Sequence, residues 1–313
     1  MSRARIAVVL FGPQGQGSFN EAGHAGAVRA QQAGHAVDIH WVPGHSTETR
    51  ADALAALCEQ GLDLLVAHGG QGDLPVAAVA PRFAHTTFAI TQGTFLSENT
   101  ASYEVLQEQS AFLAGVLASQ WSSSGTVAHM SGEKVRPGLK GRAAYAHGAR
   151  VGKRGTRLLT TFCGHQHDPV LAYRVVAAQA ALGADVVFAM IDGGRNGTSQ
   201  ACRDLGLRQI GNVLDWVQRD PAVFLASAVA DSSLCVERAI ADFAADTLQP
   251  GHLRTFGLED PAAVRLALHP QVPASIRASL DDWSQRLLQG GIDAAPDFEG
   301  EELAIPAADP QVA

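Results

Sequence analysis

Three stretches of this sequence set chemically capable residues close together. Cys163-Gly-His165-Gln-His167-Asp168 puts a thiol, two imidazoles and a carboxylate within six positions. A zinc site needs three or four converging ligands, and alternate residues leaving a strand offer two. The segment therefore reads as a polar loop with His167 turned toward a ligand, and no metal is expected. Gly197-Thr198-Ser199-Gln-Ala201 follows a strand and opens a helix, as a nucleophile elbow does. Its last Gly is missing and no Asp and His follow in the required order, so Thr198 and Ser199 read as helix caps and no catalytic residue is assigned. The third stretch, Gly12-Pro-Gln-Gly-Gln-Gly-Ser18-Phe19-Asn20-Glu21, fits neither GxGxxG nor GxxxxGK[ST]. A dinucleotide, a nucleoside triphosphate or any other cofactor is not expected there. Ser18 and Glu21 have the spacing of a capping box. Phe19 can stack on a flat ligand while Asn20 reads its hydrogen-bonding edge. The alternative is a hydrophobic staple beside a surface amide.

These residues sit in a chain of 313, with a formal charge of 23 − 31 = −8, 46% hydrophobic and 17% charged residues. Such a composition buries a large core, which excludes a disordered or fibrous protein. An acidic balance argues against nucleic acid as a partner. Eight of the 23 basic residues fall between Lys134 and Arg157, either an anion surface or a solvated helix face. No run approaches the roughly 18 apolar residues of a membrane span, so direct membrane insertion is not expected. Met1-Ser-Arg-Ala-Arg runs straight into Ile6–Leu10, an apolar run that reads as a first strand and not as a signal peptide, which points to the cytoplasm unless a leader has been removed. Four scattered cysteines show no CxxC.

Apolar runs at 5–11, 36–41, 63–67, 86–91, 125–130, 157–162, 185–191 and 207–211 read as strands. Helix-like stretches at 18–33, 47–60, 103–121, 137–149, 168–182 and 198–205 lie between them. This βαβ rhythm predicts an α/β fold with two Rossmann-like, doubly wound lobes and a ligand cleft between them. Joints at Ser122–Gly125 and near 223–231 divide it: 1–122 with about 224–250 as one lobe, 123–223 with about 251–296 as the other. Residues 297–313 read as a loosely ordered tail.

Ser18-Phe19-Asn20-Glu21 resembles the SFNQ signature of the basic membrane protein family, purine-nucleoside-binding proteins of the type 1 periplasmic-binding-protein-like class. Glu98-Asn-Thr-Ala-Ser-Tyr103 with Glu108-Gln-Ser-Ala-Phe-Leu-Ala-Gly115 resembles its ENVASY…EEGSFLAG segment. Phe88-Ala-Ile90, Gly125-Thr-Val, Asp168-Pro169, Ala184-Asp-Val-Val187 with Gly193-Gly194, and Leu288-Gln-Gly-Gly-Ile-Asp293 follow in the family's order. The resemblance implies a clamshell that closes on a small molecule and an ABC transporter permease as partner, or a cytosolic partner if the chain stays inside.

Carried over position by position, Phe19 matches the family's purine-stacking Phe and Asn20 the Asn beside it. Thr91 stands where the family has an Asp acceptor. The family's ribose-binding Asp falls on Leu10 or Phe11, and its later Lys near Val229 or Ala230. Asp215, beside Trp216, is a counterpart of a further family Asp. Trp41, Gln92 and Asn212 are candidate substitute contacts, and the Gly193-Gly194 turn offers backbone N–H groups. Without partners for ribose hydroxyls, each unpaired group costs about 1–3 kcal/mol, so a purine base or similar planar heterocycle is expected in place of a nucleoside. Two rival readings stand beside this one. The first is a cytosolic enzyme acting on such a ring, which twelve His residues permit. The second is a transcriptional regulator, for which no helix-turn-helix segment is found.

Overall fold

The structure, a computed structural model, describes residues 4–12, 14–15, 18–43 and 46–304. In chain order the elements are β1 (Ile6–Phe11), α1 (Ser18–Gln32), β2 (Val37–Val42), α2 (Thr47–Cys58), β3 (Leu64–His68), α3 (Asp73–Val79), β4 (Thr87–Thr91), β5 (Thr100–Val105) and α4 (Gln107–Trp121). Then follow β6 (Thr126–Ser131), α5 (Arg136–Gly152), β7 (Arg157–Phe162), α6 (Pro169–Ala181), β8 (Val186–Met190), α7 (Arg195–Leu205), β9 (Arg208–Val213) and β10 (Phe224–Ala230). The last are α8 (Ser233–Ala244), β11 (Leu253–Phe256), β12 (Val264–Leu268) and α9 (Ala274–Leu288). The two-lobe α/β expectation holds, with refinements at particular elements.

The first unit comprises residues 1–106 and 231–263. Its sheet runs β11-β5-β4-β3-β1-β2, with every pairing parallel. Every residue of β1 is buried, because helices cover both faces. Ala7, Val9 and Phe11 of β1 pack with Leu65, Ala67, Phe88 and Ile90 against Leu54, Cys58, Val76 and Val79 of α2 and α3. Alternation then turns Leu10, His68 and Thr91, which are register partners, to the opposite face. That face carries α1 and α8, whose backbones meet where Gly26 leaves no room for a side chain beside the Ser233 carbonyl.

The second unit comprises 107–230 and 264–313. Its sheet runs β12-β10-β9-β8-β6-β7, and β12 lies antiparallel to β10 at the edge. The expected lobe boundaries at 122, 224 and 250 shift to 106, 230 and 263. Helix α4 packs on α5, β10 and α9, so it folds with the second sheet although it follows a strand of the first. Tyr103, expected to start that helix, is the fourth residue of β5. There it pairs with Thr91 and Arg254, and its hydroxyl donates to Asp242 Oδ2 at 2.9 Å.

The loose tail is corrected as far as residue 304. Leu303 N donates to Thr160 O of the edge strand β7 at 2.7 Å, and Thr161 Oγ1 donates to Leu303 O at 3.3 Å. Glu302 bridges Lys134 at 2.9 Å and Arg142 at 2.7 Å, and Phe298 lies 4.3 Å under the Arg142 guanidinium. Lys140 pairs with Glu108 at 2.7 Å. Part of the basic stretch thus holds the second unit together. Among the described residues no helix is long and apolar enough to cross a membrane.

Candidate functional site

In the first unit, β1, β3 and β4 end side by side beneath the first turn of α1. Phe19, in that turn, stacks on the His68 ring with centroids 4.3 Å apart and planes 23° apart. The Phe19 ring is half-buried, whereas His68 is only 1% exposed. A Cβ on Gly23 would lie 2.5 Å from the His68 ring, and one on Gly69, at φ +107°, 3.1 Å from Phe19 Cε1. Two glycines therefore make the slot that the imidazole fills. His68 Nε2 bonds Phe19 O at 2.9 Å and Nδ1 bonds Thr91 Oγ1 at 2.8 Å, while Gly69 N donates to Thr91 Oγ1 at 3.0 Å. Desolvation lowers the His68 pKa to about 4, so the ring is neutral at pH 7.

Asn20 Nδ2 donates to Phe11 O at 3.0 Å. A carbonyl can only accept, which fixes the amide's orientation and leaves Oδ1 as its acceptor end. Of Ser18 the structure describes the backbone alone. Trp41 is half-buried on β2, its ring tilted against His24 at 6.0 Å. Gln92, at φ +55°, is taken up internally: its Oε1 accepts from Val105 N at 2.6 Å and its Nε2 donates to Val105 O at 3.3 Å. This clamp joins the end of β4 to the end of β5.

In the second unit, the loops after β7 and β8 come together. Gly193 N donates to His167 Nδ1 at 3.4 Å, and Gly194 N to Gln166 O at 3.0 Å. Asp168 caps α6 through Oδ1, accepting from Val170 N and Leu171 N, each at 2.9 Å. Among the described residues no group of three His, Cys, Asp or Glu side chains converges to hold a metal ion. Trp216 is buried, with the guanidiniums of Arg195 and Arg219 3.7 and 4.7 Å from its ring centroid, and its Nε1 donates to Asn212 O at 2.9 Å. Its ring packs in the core cluster of this unit. Asp215 accepts from Gln218 Nε2 at 3.2 Å and faces Arg265 at 3.7 Å, while its Oδ1 is buried with no hydrogen-bond partner among the described residues. Between Asn212 and Leu214, Val213 adopts φ +66°, strained for a β-branched residue.

Residues 3–286 match the family model Bmp, described as ABC transporter substrate-binding protein PnrA-like. The chain belongs to this family. Among solved structures, an ABC transporter solute-binding protein from Aeropyrum pernix K1 superposes with a TM-score of 0.81 at 18% identity, covering 95% of each chain. A transcriptional activator of the comK gene from Bacillus halodurans gives 0.77 at 19% identity, over 92% of this chain and 99% of that one. An ABC transporter solute-binding protein from Conexibacter woesei gives 0.73 at 20%, over 94% and 99%. At such identities these likenesses show the fold. No curated protein gives a significant match.

The positions that the family resemblance offers for ribose anchors, Leu10 or Phe11 and Val229 or Ala230, are apolar and buried. Leu10 and Phe11 lie in the first unit's core, and Val229 and Ala230 in β10 of the second. Sequence reasoning missed His68. The available signal was a polar residue closing an apolar strand, Leu64-Leu-Val-Ala-His68, directly before two glycines.

The second unit holds a similar imidazole. His129 is fully buried, bonds Thr160 Oγ1 at 2.9 Å, and has its pKa lowered by desolvation to about 3. Both histidines titrate lower in the folded protein than their ordinary 6.5, so the unfolded chain takes up the protons first. Their stabilisation is complete above pH 6.5 and is lost as pH falls toward 4 and 3 respectively. Each is expected to cost its unit about 2 kcal/mol between pH 7.5 and pH 5. Urea titrations at the two pH values check this, and equal stabilities would show that the imidazoles are not held neutral.

Proposed function

We propose that this protein captures a purine base or a similar planar heterocycle and delivers it to an ABC transporter permease. The observation that carries the reading is the Phe19 ring, part-exposed at the strand ends and backed by His68. A ring already stacked on one neighbour is held in orientation, so a ligand that stacks on it loses less in ordering it. Asn20 contributes an acceptor, Oδ1, which favours rings bearing an N–H or an exocyclic amino group. The apolar residues at the family's ribose-binding positions favour a base over a nucleoside. In the second unit, His167, the Gly193–Gly194 turn, Asn212 and Asp215 are the candidates for further contacts. Delivery to a permease implies work on the outer side of the cytoplasmic membrane.

Native mass spectrometry of the freshly purified protein, followed by denaturation and identification of what is released, tests this. Calorimetry with adenine, guanine, hypoxanthine and their nucleosides follows. A released purine, with bases bound at least about tenfold more tightly than nucleosides, is expected. Tighter binding of nucleosides would overturn the base preference. Conversion of the added ring to a new product would make the protein an enzyme.

A further inference from the structure

We propose that His68, through Thr91, is a positioning residue that sets the angle and place of the Phe19 ring and thereby the protein's affinity for stacked rings. The inference rests on the reading of Phe19 as the stacking platform.

The hydrogen bonds around His68 can run in only one direction. Phe19 O is a carbonyl and accepts, so His68 Nε2 carries the hydrogen and donates at 2.9 Å. In a neutral imidazole Nδ1 is then the acceptor, and the Thr91 hydroxyl donates to it at 2.8 Å. Thr91 Oγ1 in turn accepts from Gly69 N at 3.0 Å. The relay therefore runs Gly69 N–H, Thr91 O–H, His68 Nε2–H, Phe19 C=O. It ties the first turn of α1 to the ends of β3 and β4 at the one residue whose ring backs onto the imidazole.

Thr91 is wholly buried, and both capacities of its hydroxyl that the relay needs are in use. It is thereby a support for Phe19 and not a reader of the ligand's edge. Gly23 and Gly69 make the fit obligatory, since a side chain at either would meet one of the two rings. Loss of the Thr91 hydroxyl leaves Nδ1 without its donor in a dry slot, and the imidazole can recover a partner only by turning over. Turning over takes the hydrogen or the ring away from Phe19.

Two measurements on the full chain decide the matter. Long-range proton–nitrogen NMR at pH 7.5 should show His68 as the Nε2–H tautomer, with nuclear Overhauser contacts between the His68 and Phe19 rings. The Nδ1–H tautomer, an imidazolium, or the absence of ring contacts would overturn the proposal. Calorimetry with adenine should then give about tenfold weaker binding for Thr91→Val and binding within about threefold of the original for Thr91→Ser, which restores the hydroxyl. The Phe19–His68 ring contacts should vanish in the first variant and persist in the second. Unchanged adenine affinity in a folded Thr91→Val protein would also overturn it. If Thr91→Val does not fold, the tautomer, the ring contacts and Thr91→Ser carry the decision. Should adenine not bind the unaltered chain at all, the proposed ligand class fails, while the NMR result still decides the role of His68.

Discussion

Gly148→Ala is expected to destabilise the second unit by about 3 kcal/mol or more, although alanine is the better helix former by about 1 kcal/mol. The sign is set by the crossing of α4 and α5. A Cβ on Gly148 would run into the Phe112 carbonyl and reach 3.0 Å from Val116 N, and one on Gly115 would run into the Tyr145 carbonyl and reach 2.7 Å from Ala149 N. The obstacles are backbone atoms in mid-helix, which cannot swing aside as a side-chain tip does, so the helices must separate. Separation loosens contacts around Phe112 and Tyr145, both fully buried. Thermal unfolding should show the transition of this unit lowered by roughly 5–10 °C. An unchanged or raised melting temperature would mean that the helices do not cross this closely.

Phe19→Ala is expected to weaken binding of a purine base by about 5- to 150-fold, with little change in stability. Base–aromatic stacking is worth about 1–3 kcal/mol by alanine substitution, and that range is the fold-change given. Because the Phe19 ring is half-buried and stands on His68, truncation also exposes part of the imidazole and removes the platform as a whole. Phe19→Tyr keeps the stacked ring and should bind within a few-fold of the original. Calorimetry on the three proteins, each checked by thermal melting, measures this. Equal affinities for the original protein and the Phe19→Ala variant would remove Phe19 from the site and with it the reading of this strand end as the ligand's seat.

Much of this is legible in the order of residues. Buried parallel strands announce themselves because both faces are covered, so Ile6–Phe11 and Val186–Met190 are unbroken apolar runs. Phe19 and Asn20 stand out as an aromatic and an amide placed where a glycine-rich turn enters a helix. Elements with weak patterns escape notice for an equally physical reason. Helix α9 buries only Leu280 and Leu287, and β11 buries only Phe256, so neither carries a stripe or an alternation that could be counted. Tyr103 reads as helical until strand pairing on both sides claims it.

Residue order alone therefore specifies the α/β class, the two sheets, family membership and the first-turn pair Phe19 and Asn20. Each of these follows from local hydrophobic period or from contiguous motif. Whatever depends on distant pieces meeting is set by packing instead. His68, Thr91 and Phe19 are separated by 23 and 49 residues along their hydrogen bonds and become neighbours only through the register of β3 with β4 beneath α1. The same holds for Gln92 closing on Val105, for Trp216 against two arginines, and for the tail pinned to β7. Which polar side chain stays open to a ligand and which is consumed inside the protein is a matter of partners, and no local pattern of residue types encodes a partner many positions away.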